Sequence, residues 1–325
     1  MFTRHSRRRL LAIVCGFLVN FAAGCGGSGP ETFRNPVHAS DVPDPFVLRV
    51  GDTYHAYATN GAGKEVQTLT SDDLVQWRPG ADALPEVGAW AYPGKTWAPE
   101  VLALDDGRYV LYYTANGGGQ CVGRAVADDP EGPFVDRWDA PLVCQRDEGG
   151  SIDASPFRAR DGSLYLYWKN DGNAIGHTTY LWGQRLSPDG TKLVGLPVRL
   201  AANDAGWEGA VVEAPTMWSE GGRHYLFYSG EAYDGEFYAV GYATCAGPLG
   251  PCEDAPENPI LKTRCAARGP GHQALVHDGA GDTWLVYHAW NARFEQRQLW
   301  LDRVRWEEGK PVVQGPTCGD QEAPR

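Results

Sequence analysis

The sequence predicts an all-β chain folded as a five-bladed β-propeller, on three observations. First, one short phrase recurs five times: a proline-containing start, a Gly/Asp turn, then an aromatic, two spacers and another aromatic. Second, the starts form a column at Pro45, Pro99, Pro156, Pro215 and, in the last copy, His272, with spacings of 54, 57, 59 and 57 residues. Self-similarity at such a period marks an array of supersecondary units. Third, no long stretch has helical periodicity, whereas each copy contains short apolar and aromatic runs of strand length. Four antiparallel strands per copy, repeated five times, describe a closed ring of blades.

The elements follow in order. In the first copy, Phe46–Val50 is an apolar strand, Gly51-Asp52 a turn, and 53–59 an aromatic strand. Asp106-Gly107, Asp161-Gly162, Gly221-Gly222 and Gly281-Asp282 are the corresponding hairpin turns of the other copies. A third and fourth strand are expected after each pair, as in Gln67–Ser71 leading to Trp77, 122–127 leading to Phe134 and 179–187 leading to Val194. The aromatic pairs Tyr54/Tyr57, Tyr109/Tyr112, Tyr165/Trp168, Tyr225/Tyr228 and Trp284/Tyr287 are assigned to packing between blades.

The chain starts with the layout of an export signal. Arg4, Arg7, Arg8 and Arg9 precede an apolar run over 10–23 that only Asn20 interrupts, and Ala22-Ala23-Gly24-Cys25 leads into a Gly/Ser stretch. The small residues before Cys25 resemble a lipobox, although Ala22 stands where leucine is usual. Ser6-Arg7-Arg8-Arg9 also resembles a twin-arginine signal. We therefore expect residues 1–24 to be an export signal, 25–33 a flexible tether and 34–325 the propeller. The mature protein is expected to be a monomer, either a cell-surface or periplasmic lipoprotein held through Cys25 or a secreted protein. The apolar run is too short for a good spanning helix.

Loss of 1–24 takes the formal charge from −12 to −16. So acidic a chain repels phosphate backbones, which argues against nucleic acid and leaves neutral polymers as partners. Beyond Cys25 there are six cysteines, an even number that favours disulfides in an exported protein. Proximity along the chain pairs Cys121 with Cys144, Cys245 with Cys252 and Cys265 with Cys318.

In a propeller the innermost strands all enter the channel at one end. Residues just before the proline column then ring that mouth: Asp44, Trp97, Asp153 and Glu213, with His272 in the fifth blade. Each has a plainer reading. Asp44 before Pro45 is a turn former, and Asp153 suits a local loop cap. Trp97 and His272 suit inter-blade packing and a hydrogen-bonded core position. Glu213 sits among Val211, Val212 and Ala214-Pro215, a poor setting for a solvated surface carboxylate.

The local wording resembles glycoside hydrolase family 43. Val42-Pro43-Asp44-Pro45-Phe46-Val47, Thr96-Trp97-Ala98-Pro99-Glu100-Val101, Ser151-Ile152-Asp153-Ala154-Ser155-Pro156-Phe157, Val212-Glu213-Ala214-Pro215-Thr216-Met217 and Gly269-Pro270-Gly271-His272-Gln273-Ala274-Leu275 carry the likeness, one per blade. The resemblance implies Asp44 as general base, Glu213 as general acid and Asp153 as the residue that orients the acid and tunes its pKa. It also implies inversion of configuration, with a water between base and sugar. Hydrolysis of this kind requires no cofactor. His272 resembles a channel histidine of the family that often stands beside a calcium or other cation, which makes a structural cation there an expectation. Trp97 is read as a sugar-stacking platform, His38 as lining the mouth, and Arg297 as a site arginine for which Arg293 and Arg303 compete. Glu100 stands where the family commonly has Asp.

The expected substrate is an arabinose- or xylose-containing plant polysaccharide or oligosaccharide. The large extra β-sandwich of many xylosidases is not seen in the sequence, which moves the expectation towards α-L-arabinofuranosidase or arabinanase. β-Xylosidase, a β-fructosidase-like five-bladed glycosidase and a non-catalytic glycan-binding propeller are the alternatives.

Overall fold

The computed structural model describes Met1–Phe2 and residues 31–325. The export-signal reading, Cys25 and residues 25–30 of the expected tether lie outside the described residues. Among the described residues the helical pieces are two 3-10 turns, Arg146–Glu148 and Gly172–Ile175. The rest of the regular structure is strand, in five small antiparallel sheets and one two-stranded ribbon.

The ribbon pairs β1 (Thr32–Phe33) with β21 (Gln321–Glu322). Blade one is β2 (Phe46–Val50), β3 (Thr53–Ala58), β4 (Gln67–Ser71) and β5 (Arg78–Pro79). Blade two is β6 (Tyr92–Ala103), β7 (Tyr109–Asn116) and β8 (Gln120–Ala127). Blade three is β9 (Ser151–Arg158), β10 (Leu164–Asn170), β11 (Tyr180–Leu186) and β12 (Leu193–Ala202). Blade four is β13 (Val212–Glu220), β14 (Arg223–Gly230), β15 (Ala239–Cys245) and β16 (Cys252–Asp254). Blade five is β17 (Arg268–His277), β18 (Thr283–Trp290), β19 (Arg297–Glu307) and β20 (Lys310–Val313).

The expectation of four strands in every blade fails in blade two. The segment that follows β8 meets it through the isolated bridges Val126–Val135, Val122–Val143 and Gln120–Gly150 and forms no fourth strand. Pro130, Pro133 and Pro141 crowd that segment, and a proline has no N–H to give to a ladder.

Five apolar clusters, one at each junction between blades, form the core. Residues three apart in a strand point to opposite faces, so each aromatic pair divides between two junctions. In blade one Tyr54 packs towards blade five and Tyr57 towards blade two. In blade three the order reverses, with Trp168 facing blade two and Tyr165 facing blade four. The recurring pair is therefore shifted by one residue between blades. Hydroxyls along these strands tie blades one to four each to the outer turn of the next. Tyr57 donates to the Pro130 carbonyl at 2.5 Å, Tyr112 to Gly190 at 2.6 Å, Tyr167 to Pro248 at 2.8 Å and Tyr225 to Gly309 at 2.6 Å.

The ring closes between blades one and five. Thr32 and Phe33, expected in the tether, are part of this closure: Phe33 packs on Trp284 with ring centroids 6.0 Å apart. Residues that follow run beside β19, where the Asn35 side chain bonds both the carbonyl and the N–H of Leu301. The disulfides are Cys121–Cys144, Cys245–Cys252 and Cys265–Cys318, and the last staples the approach to blade five onto the C-terminal segment.

Candidate active site at the channel mouth

The inner edge of every blade carries one non-glycine residue in the left-handed region: Asp44 (φ 53°), Ala98 (42°), Asp153 (56°), Ala214 (53°) and His272 (51°). Such a conformation costs an L-residue roughly 1 kcal/mol or more. In blades two to five the ladder between first and second strands slips register at this point. Such a bulge re-aims side chains and frees an amide from the ladder. Four of the five left-handed residues give their N–H to a side chain in, or directly after, the preceding blade's second strand. Ala98 donates to Thr59 Oγ1 at 2.9 Å, Asp153 to Thr114 Oγ1 at 3.2 Å, His272 to Ser229 Oγ at 2.9 Å and Asp44 to His288 Nδ1 at 3.1 Å. The fifth N–H, that of Ala214, goes to Asp153 Oδ2 at 3.0 Å.

The kinks aim side chains from separate blades into one cavity of about 330 Å³, lined by Asp44, Trp97, Asp153, Glu213 and His272 among others. Asp44 is nearly buried and heavily bonded. Thr59 donates to its Oδ2 at 2.5 Å, Arg297 Nη1 to its Oδ1 at 3.0 Å, and His272 Nδ1 stands 3.3 Å from Oδ1. Burial pushes its pKa up, but the Arg297 guanidinium, then His272 and the Thr59 hydroxyl, outweigh burial and hold it well below the carboxylate range. The His288 ring beside it is a neutral acceptor. Its Nδ1 takes the Asp44 N–H, and burial keeps its pKa well below the usual value.

Glu213 accepts the Tyr238 hydroxyl on Oε1 at 2.7 Å and Lys169 Nζ on Oε2 at 3.2 Å. Tyr238 fits there because Gly271 has no side chain: a Cβ would lie 2.0 Å from the tyrosine ring. Gln273 Nε2 donates to the Ala214 carbonyl at 2.8 Å, so the residue after Glu213 is held at both its N–H and its C=O. Asp153 is pushed up to about 6, first by burial, which His272 opposes, and further by Glu213.

The sequence profile of Glycosyl hydrolases family 43 matches residues 33–311. The chain belongs to glycoside hydrolase family 43. A putative beta-xylosidase of Xylanibacter ruminicola is 27% identical over 303 residues, covering 89% of this chain and 52% of that protein. A non-reducing end alpha-L-arabinofuranosidase of Bacteroides ovatus is 28% identical over 330 residues, covering 95% of this chain and 58% of that protein. The chain thus spans about half the length of these curated relatives. A solved structure of a thermostable family-43 glycoside hydrolase superposes with a TM-score of 0.83 at 31% identity, covering 90% of this chain and 99% of that one.

Six of the seven candidate site residues read from the sequence line the cavity: Asp44, Trp97, Asp153, Glu213, His272 and Arg297. His38 does not. It is half-buried and pairs through its backbone with Leu299 in β19, because the segment before blade one runs along the outer part of blade five. Of the three competing arginines, Arg297 reaches the site, its guanidinium also lying 5.0 Å from the Tyr233 ring centroid. Arg303 instead pairs with Asp282, and Arg293 is exposed. Lys169, Asp171, Tyr238 and Gln273 were not singled out from the sequence. A lysine between Trp168 and Asn170 in an apolar strand was the available signal for the first.

The side chains around His272 offer no direct ligand set for a cation, which leaves the expected channel cation to water ligands. Its Nδ1 is turned to Asp44, whose own oxygens face Thr59 and Arg297. Among the described residues no group of three or more His, Cys, Asp or Glu is placed to hold a metal. A lone imidazole nitrogen is a poor donor set for calcium, which takes six to eight oxygens. No chemical step is assigned to a metal here.

Proposed function

We propose that this family-43 protein is an inverting glycosidase acting on arabinose- or xylose-containing plant polysaccharides or oligosaccharides, as an α-L-arabinofuranosidase or arabinanase. Asp44 is the general base, Glu213 the general acid and Asp153 the residue that orients the acid. The observation that carries this reading is the gathering of the three carboxyl side chains on one cavity, Asp44 held ionised by Arg297 and His272 and Glu213 bonded by Tyr238 and Lys169. Glycoside hydrolysis needs one ionised carboxyl and one protonated carboxyl on either side of the scissile bond.

The chemistry follows from the contacts. Glu213 gives its proton to the glycosidic oxygen as the bond to the anomeric carbon breaks. A water attacks that carbon from the opposite face and passes a proton to Asp44. A carboxylate held so firmly ionised is a weak proton acceptor. Asp44 therefore acts largely by orienting the water and by opposing the positive charge of the oxocarbenium-like transition state. Arg297, His272 and Thr59 fix it for that role. Trp97, on the cavity wall, offers an aromatic face to the apolar side of a sugar ring.

The relatives' names include both arabinose- and xylose-releasing enzymes, so both sugars enter the test. The purified protein is assayed on arabinan, arabinoxylan and xylo-oligosaccharides beside Glu213→Gln and Asp44→Asn. Arabinose release that collapses in both variants is expected. Release of xylose alone moves the specificity to β-xylosidase. Full activity in either variant removes the assigned roles, and binding without any sugar release makes the protein a glycan-binding propeller.

A further inference from the structure

The second strands, or in blade one the residue directly after, present five equivalent positions to the channel: Thr59, Thr114, Lys169, Ser229 and His288. Four of them accept the N–H of the left-handed residue in the next blade. Lys169 is the exception. An ammonium has donors and no acceptor, and in that blade the task passes to Asp153 Oδ2. The lysine side chain has no exposed surface, and its Nζ lies 2.8 Å from Asn173 Oδ1, 3.2 Å from Glu213 Oε2 and 3.7 Å from Asp171 Oδ1. A buried ammonium needs a compensating charge, and this one stands between two carboxyl groups.

We propose that Lys169 is a positioning residue for the catalytic acid, holding a fixed positive charge against Glu213 as its proton leaves, while Asp171 and Asn173 hold the ammonium when Glu213 is protonated. The inference rests on the reading of Glu213 as the general acid. Negative charge grows on the glutamate only as the O–H bond breaks, the proton joins the glycosidic oxygen and the C–O electron pair moves onto that oxygen. A preorganised cation at 3.2 Å favours that state over the ground state. Other groups bear on the same carboxyl. Lys169 and Asp171 face it from blade three's second strand and the connection after it, Asp153 from that blade's inner strand, and the Tyr238 hydroxyl from blade four. His272 and Asp44 act on it through Asp153.

The test uses the full chain and aryl α-L-arabinofuranosides of graded leaving-group acidity. A 2,4-dinitrophenolate departs without protonation, whereas phenol or a sugar needs the acid. Lys169→Met is expected to lose about 100-fold in kcat on the phenyl glycoside, within the range of a general-acid contribution, and little on the dinitrophenyl one. The basic limb of its kcat/KM profile is expected to move to higher pH, because the cation that favours ionised Glu213 is gone. Equal losses on both substrates, or an unmoved limb, overturn the proposal. Asp171→Asn provides an independent arm if Lys169→Met does not fold. Freed from its second partner, Lys169 then acts on Glu213 alone and the basic limb moves to lower pH; an unmoved or raised limb contradicts the proposal. Glu213→Gln run alongside separates the two levels. Wild-type activity there removes the acid assignment itself, whereas a crippled Glu213→Gln beside an unaltered Lys169→Met removes only this inference.

Discussion

Asp153 Oδ2 accepts the backbone N–H of Ala214, the residue that directly follows Glu213, at 3.0 Å. One carboxyl of the site thus fixes the peptide that carries another. The contact replaces the hydroxyl or imidazole acceptor used at the other four blade junctions, and it brings blades three and four together at the residues of the proposed chemistry.

In the proposed mechanism this contact makes Asp153 a positioning residue whose two functions separate by substitution. Asn keeps an acceptor for the Ala214 N–H but carries no charge; Ala keeps neither. We expect Asp153→Ala to lose more kcat than Asp153→Asn, by about tenfold for the displaced acid. Equal kcat in the two variants would show that the hydrogen bond is idle.

The raised pKa of Asp153, about 6, has a stability consequence. Its unfolded value is the ordinary 3.8, so the unfolded chain loses this proton at lower pH than the native one. The native state is therefore penalised as the group ionises: the penalty is absent below the unfolded value, grows between about 4 and 6 and is complete above. Thermal unfolding across that window is expected to show a Tm decline with rising pH that is smaller in Asp153→Asn. An identical slope in the two proteins sinks this assignment.

Asp44 behaves in the opposite sense. Its depressed pKa contributes stability that is present above the ordinary carboxylate range and is lost as pH falls towards the folded value. The acidic limb of kcat/KM should accordingly lie below the usual carboxylate range. Arg297→Met removes the largest opposing cation and is expected to move that limb upward, with kcat reduced. A limb that stays in place would mean that Arg297 does not set the ionisation of Asp44.

The Cys265–Cys318 disulfide closes a loop of 53 residues across the ring's closure. Chain entropy alone predicts about 4 kcal/mol of stabilisation for a loop of that length. Cys318→Ser should unfold at markedly lower denaturant concentration. A midpoint unchanged from wild type would show that the β1–β21 ribbon and the Phe33–Trp284 contact suffice to hold the ring.

The ring itself was legible because its repeat is written in prolines, turns and aromatic pairs. The column through those prolines, however, is not the structural one. Asp44 stands one residue before Pro45, whereas Asp153 stands three before Pro156, and the equivalence lies in the left-handed residues 44, 98, 153, 214 and 272. Backbone sign cannot be read from Asp, Ala or His. The three carboxyl residues that share the cavity were legible because flanking motifs mark them, but Lys169 was hidden by its apolar strand and Tyr238 by the general abundance of packing tyrosines. His38 was misplaced because closeness to Asp44 in sequence says nothing about which edge of blade five the chain follows. The missing strand of blade two was foreshadowed by Pro130, Pro133 and Pro141, whose effect depends on the edge they meet.

The central claim is that water attacks the sugar from the Asp44 side while Glu213 protonates the leaving oxygen on the other. Proton NMR of the anomeric signal during the first minutes of hydrolysis of an aryl α-L-arabinofuranoside reads this directly. The account predicts that β-L-arabinose appears first and the α anomer only later by mutarotation; α-L-arabinose as the first product would contradict it.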